Sequence, residues 1–145
     1  MSYRSILVYL DDTDRTPIRV ALAAALARKH QAHLIGLAPT GILQMPGKPR
    51  PALAGNEYIP FTSENLYQRA RAVADAFEAQ VHGLGPLSFE SRVDEAEPGP
   101  STIVHGRTSD LVVIPQSDHD APTPTVPWDF PPLVLMGTGR PVLVV

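Results

Sequence analysis

The chain contains no cysteine, which excludes disulfides and thiolate-held metals at the outset. It also lacks any long hydrophobic run: the longest, Val20 to Ala27, is far too short to span a bilayer. The opening Met1-Ser2-Tyr3-Arg4 has no apolar core of the kind a signal peptide needs. Lysine is scarce, with only Lys29 and Lys48. Twelve Lys and Arg stand against fifteen Asp and Glu, for a formal net charge of −3. The basic residues are scattered singly, most of them on expected solvent faces, so no basic stripe exists to displace phosphate counterions. These absences predict a soluble cytoplasmic protein with neither nucleic acid nor membrane as a partner.

What is present begins with three β-branched runs: Ile6–Leu10, Leu111–Ile114 and Val142–Val145. Each is nearly continuous in apolar residues, as strands are when a parallel sheet buries both faces. At 145 residues and 43% hydrophobic, the chain suits one compact domain, 1–145, with a sizeable core. Eleven of its sixteen prolines fall in Pro39–Pro60 and Pro115–Pro132, two long loops outside the regular patterns. Loops of that length are usually functional or mobile.

The first strand covers about Ser5–Leu10 and runs into Asp11-Asp12-Thr13-Asp14. Thr16-Pro17 reads as a helix N-cap followed by proline at the first helical position. Ile18, Leu22 and Leu26, with Ala21 and Ala25 beside them, give the apolar face of that helix, and Arg28-Lys29-His30 complement its negative end. His33–Ala38 is the second strand. Ser63 caps a helix bearing Leu66, Ala70, Val73, Phe77 and Val81, ended by a left-handed cap at Gly83. Alternation from Leu87 to Val93 marks a half-exposed edge strand. A short helix at Ser101–Arg107 precedes the Leu111–Ile114 strand, and another near Pro132–Met136 is followed by a turn at Gly137-Thr138-Gly139 and the last strand. Five strands joined by right-handed helical crossovers predict a parallel doubly wound α/β sheet with helices on both faces.

The segments Ile6–Thr13, Ser109–Ile114 and Val134-Leu135 with Arg140–Val145 resemble the universal stress protein family, in its order of elements. The resemblance implies a Rossmann-like sheet of order 3-2-1-4-5 with a pocket at the carboxyl ends of strands one and four. It gives Asp11 the adenosine contact, with Thr13 at the nearby hydroxyl position and Leu37, Gln116 and Ser117 in the same candidate nucleotide pocket. It also implies dimerisation through the terminal strand, Val142, Leu143, Val144 and Val145. A second tandem domain would serve the same edge if the chain is one half of a longer member. The family's glycine-rich phosphate loop is missing: no glycine occurs between Ile114 and Gly137. Glycine loops hold phosphates because their N–H groups approach without Cβ interference, and proline has no N–H. Asp118, Asp120 and Asp129 would also repel a triphosphate.

Other constellations compete for the same residues. Asp11, Asp12 and Asp14 can be plain helix-start acids or a nucleoside or Mg²⁺ contact. Asp12-Thr13-Asp14-Arg15-Thr16 also fits Asp-x-Asp-x-Thr, the nucleophile motif of haloacid dehalogenase-type phosphatases, with Asp118 and Asp120 as a later acidic pair. Such enzymes need a lysine at the phosphoryl group, and here Lys29 ends its helix while Lys48 lies in a proline loop. The histidines do not converge on a metal site, and Ser117-Asp118-His119-Asp120 reads as a solvated loop. No Gly-x-Ser-x-Gly elbow supports a triad. Trp128 is either a cover for the sheet end or a partner anchor.

The function expected is therefore a cytoplasmic stress-response binding module with a degenerate nucleotide pocket, not an enzyme, and with no cofactor. The alternatives are an adenine-nucleotide binder, ATP included, in which Gln116 and Ser117 donate in place of glycines, and a Mg²⁺-dependent phosphotransfer enzyme using Asp12 and Asp14.

Overall fold

A computed structural model of the chain describes residues 2–41, 63–117, 126 and 128–145. Each of the three continuous apolar runs contains a strand. β1 (Ser5–Tyr9), β2 (His33–Pro39), β3 (Phe89–Asp94), β4 (Leu111–Ile114) and β5 (Val142–Val144) alternate with α1 (Thr16–His30), α2 (Ser63–Gly83), α3 (Pro98–Gly106) and α4 (Phe130–Thr138). The five strands form one parallel sheet, as the sequence pattern predicts, in the order β3-β2-β1-β4-β5 that the family resemblance implies.

Successive side chains of β1 go to opposite faces. Ile6, Val8 and Leu10 meet Val20, Ala23, Ala24 and Ala27 of α1 and Phe77 and Val81 of α2. Leu7 and Tyr9 meet Ile35, Leu37, Val112 and Ile114 and, beyond them, Phe130 and Val134 of α4. Both faces are thus covered, which is why the central strands need no polar alternation. At the amino end of the sheet, the N–H groups of Arg4 and Ser5 donate to Asp110 Oδ2 at 2.7 and 3.0 Å, tying β1 to the start of β4.

Five local expectations are corrected. α1 turns the predicted stripe outward: Ile18 is 65% and Leu22 39% exposed, while Arg19, Val20, Ala23, Ala24 and Ala27 are buried. Thr16 is a helical residue and not the N-cap; Arg15 precedes the helix without a capping side chain, because the Thr16 hydroxyl is turned back to Asp11. α2 continues through Gly83, and the left-handed residue is Gly85 (φ 100°). α3 begins at Pro98, and α4 extends over Gly137 and Thr138, leaving Gly139 (φ 62°) as its cap. Gly137 is helical because α3 and α4 touch there: a Cβ on it would collide with Ile103.

Gly36 of β2 serves a similar close approach. A Cβ there would stand 2.7 to 2.9 Å from the Phe77 ring, which is itself buried against the sheet. Gly36→Ala is expected to cost about 1–3 kcal/mol by overpacking, read by urea denaturation. Adding Phe77→Leu should return part of that loss; a neutral Gly36→Ala would show that the ring does not bear on the strand.

Candidate functional site

In an open α/β sheet, ligands bind outside the carboxyl ends of the strands where the chain order reverses. Here that point lies between β1 and β4, since β2 departs from β1 on one side and β4 joins it on the other. The residues that follow β1 are Leu10, Asp11, Asp12 and Thr13.

Asp11 is 7% exposed and both of its carboxylate oxygens are occupied. Oδ1 accepts from the Thr13 N–H at 3.0 Å and from the hydroxyls of Thr13 and Thr16. Oδ2 accepts from Arg19 Nη2 at 2.9 Å in an ion pair closed to solvent. Arg19 reaches this corner from α1. Its Nε donates to the Tyr9 carbonyl at 3.0 Å and its Nη2 also donates to Thr16 Oγ1 at 2.9 Å. Nη1 is buried with no hydrogen-bond partner. The guanidinium is fully buried, so its charge depends on Asp11 for compensation.

Burial alone would push the Asp11 carboxyl up. The Arg19 charge and the donors from Thr13 and Thr16 outweigh burial and hold the carboxyl below its ordinary value. Burial likewise pulls Arg19 down, opposed by Asp11, yet a guanidinium stays cationic throughout. The Tyr9 hydroxyl is driven well above the usual tyrosine range, first by burial and then by the Asp11 charge.

The other candidates are placed apart from this corner or are already engaged. Thr13 lies beside Asp11 and serves it as donor. Leu37 is fully enclosed in the core below Phe130, and its carbonyl accepts from the Leu10 N–H at 2.8 Å. The Gln116 N–H donates to the Val145 carbonyl at 3.0 Å, and the Ser117 hydroxyl to the Trp128 carbonyl at 3.0 Å. Neither is left as a substitute for a glycine N–H through those groups. Trp128 is 77% exposed and so does not cover the core; Phe130, two residues on, is the buried ring, tilted against Tyr9 with centroids 4.7 Å apart.

Asp12 is exposed and pairs with Arg69 of α2, while Asp14 is exposed. Lys29 lies in the last turn of α1, about 20 Å along the helix from its start. Asp118, His119 and Asp120 lie outside the described residues, as does Lys48. Among the described residues, no three His, Asp or Glu side chains gather where they could hold a metal ion. An open cleft of about 540 Å³ lies beyond β2 and β3, lined by Thr40, Gly41, Ser63, Glu64, Tyr67 and Glu95. Its two carboxylates make it unsuited to an anion.

Sequence reasoning missed Arg19. A lone charge inside an otherwise apolar helix pattern, eight residues after a strand-end aspartate, was the available signal. Asp11→Asn should destabilise the fold by about 3–5 kcal/mol, since it strands a buried cation. An Asp11→Leu/Arg19→Met double variant should recover most of that. The pair's contribution is complete above the ordinary carboxylate value of 3.8 and is lost as pH falls through the lower native value. Asp110, held low by the N–H groups of Arg4 and Ser5, adds to acid lability. Denaturation curves of wild type and Asp11→Asn should therefore converge below about pH 4; curves that stay parallel would deny Asp11 this role.

No model of a known protein family matches the sequence, and no curated protein gives a significant match. Solved structures do match along its length. A protein from the universal stress protein family of Burkholderia pseudomallei superposes with a TM-score of 0.71 at 21% identity, over 99% of this chain and 96% of that one. Universal stress protein UspA from Lactobacillus plantarum gives 0.71 at 18%, over 100% and 99%. A universal stress protein in complex with cAMP gives 0.69 at 17%, over 100% and 98%. With near-complete mutual coverage, the fold of this chain is that of the universal stress proteins.

Proposed function

We propose that the protein is a universal stress protein that works as a binding and response module without turnover, and that its nucleotide position is closed. One observation carries this reading: both oxygens of Asp11, the residue at the strand junction, are committed to Arg19, Thr13 and Thr16. A carboxylate so engaged contacts an adenosine only in competition with the Thr13 and Thr16 donors on one oxygen and a buried guanidinium on the other. The absence of glycine between Ile114 and Gly137 removes the second half of an ordinary phosphate site. Phosphotransfer is disfavoured by the distance of Lys29 from Asp12 and by the engagement of Asp12 with Arg69.

Among the described residues, β5 pairs on one side only, with β4, and Val144 is exposed. That edge supports dimerisation through Val142, Leu143, Val144 and Val145, or pairing with a tandem domain. No described helix is long and apolar enough to cross a membrane, which fits a cytoplasmic location.

A second reading, adenine-nucleotide binding through a different loop, draws on the structural neighbour that holds cAMP. Thermal unfolding with added ligand separates the two. A ligand at a hundred times its Kd stabilises by about 2.7 kcal/mol, which is several degrees for a chain of this size. With about 1 mM Mg-ATP or cAMP, the expected shift in Tm is below about 1 °C, and native mass spectrometry of fresh protein should show no nucleotide mass. A shift of several degrees, or a co-purified nucleotide, would replace the first reading with the second.

A further inference from the structure

α1 carries its charge on the inside. Arg19, its sole charged residue from Thr16 to Ala27, points into the core, whereas Ile18 and Leu22 are exposed together with Ala21 and Ala25. Positions 18, 21, 22 and 25 follow the i, i+3, i+4, i+7 spacing and form one stripe along the outer face. A shallow groove of about 320 Å³ between α1 and α2 adjoins the stripe through Pro17, Ala72 and Ala76, and Asp11, Asp12, Thr13 and Arg69 line it as well. A helix apolar all round is normally covered. The stripe is bracketed by charge: Asp14 at one end and Lys29 at the other are both exposed, with no side-chain partner among the described residues.

We propose that this stripe is a self-association surface on which a second copy of the chain packs its own α1, antiparallel, about a two-fold axis between Ala21 and Leu22. In that register Ile18 faces the partner's Ala25, Leu22 faces the partner's Ala21, and Asp14 faces the partner's Lys29. Every large side chain meets a small one, every free carboxylate meets an ammonium, and the two-fold axis makes each contact twice. A parallel pairing would set Asp14 on Asp14, Lys29 on Lys29 and Leu22 on Leu22, so charge and size both select the antiparallel form. This surface lies on a helical layer and is separate from the β5 edge. One face of a 15-residue helix is at the small end of specific interfaces, so the test extends to high concentration.

Sedimentation velocity from about 1 to about 300 μM reads it directly. The wild type is expected to gain mass with concentration. Leu22→Glu should weaken that step at least tenfold without changing the melting temperature, because the side chain is exposed in the free chain. Asp14→Lys, which opposes two lysines, should weaken it too, and Asp14→Lys/Lys29→Asp should restore it. Val144→Lys should leave it in place. The proposal fails if the wild type gains no mass, if Leu22→Glu has no effect, or if the double charge reversal does not restore association. It fails equally if Val144→Lys alone abolishes association, since the copies would then meet only through the sheet edge.

Discussion

A guanidinium with no solvent exposure is the constraint around which the rest of this chain is arranged. Arg19 enters the core from the second turn of α1, where an unpaired cation would be intolerable. Its partner must be a carboxylate that reaches the same point, and Asp11 at the end of β1 is that group. The carboxylate in turn has lone pairs to satisfy, and Thr13 and Thr16 supply the donors. The Tyr9 carbonyl, exposed by the end of the β1 ladder, takes the Arg19 Nε. Five residues over one strand–helix corner thus form a single closed network. It also explains why α1 begins without an ordinary side-chain cap, since the threonine that could have supplied one faces Asp11 instead.

The same pair sets the rotation of α1. With Val20, Ala23, Ala24 and Ala27 toward the sheet, Arg19 lies at the edge of that buried face, and Ile18 and Leu22 fall on the opposite one. Small side chains against β1 let the helix lie close enough for Arg19 to bend over the strand end. The larger Ile18 and Leu22 are displaced to the surface as a consequence. An exposed apolar stripe on α1 and a buried charge beneath it are therefore two results of one packing choice. Substituting the pair by apolar residues would relieve the charge without requiring the helix to turn over, because the alanine face fits the sheet by shape.

How much of this was legible in the sequence follows from the kind of signal each part carries. The strands were legible because Ile6–Leu10 and Leu111–Ile114 are continuous apolar runs bounded by acids and prolines, and the alternating strand at 89–94 read correctly as an edge. The crossover rule then left little freedom in topology. α1 was misread because two stripes at helical spacing coexist in it, one of Ile18, Leu22 and Leu26, the other of Val20, Ala23 and Ala27. With hardly any polar residues to mark an outer face, volume suggested the first, and close helix–sheet packing selected the second. The ends of α3 and α4 were misplaced for a related reason. Gly137 reads as a turn in isolation, yet it is helical where Ile103 of the neighbouring helix occupies the space of its missing side chain. Of the candidate residues, Thr13 donates to Asp11 two positions before it; the dependence of Asp11 on Arg19 was not legible, because a salt bridge between β1 and α1 leaves no periodic trace.

The network also bears on what a shared fold does and does not carry. Five strands in this order produce a crevice beyond β1 and β4 whatever residues line it, so the architecture alone does not decide the ligand. What decides it is whether the groups at the crevice are free to change partners. A carboxylate facing solvent can exchange water for a ligand hydroxyl at little cost. At Asp11 the exchange is costly on the Oδ2 side, because the Arg19 guanidinium it would give up is fully buried. Stability and binding thus compete for the same two oxygens, and here the Arg19 guanidinium, already without a partner at Nη1, has the stronger demand. A ligand that took over Oδ2 would have to bring its own compensation for Arg19, which an anionic group could do and a neutral base edge could not.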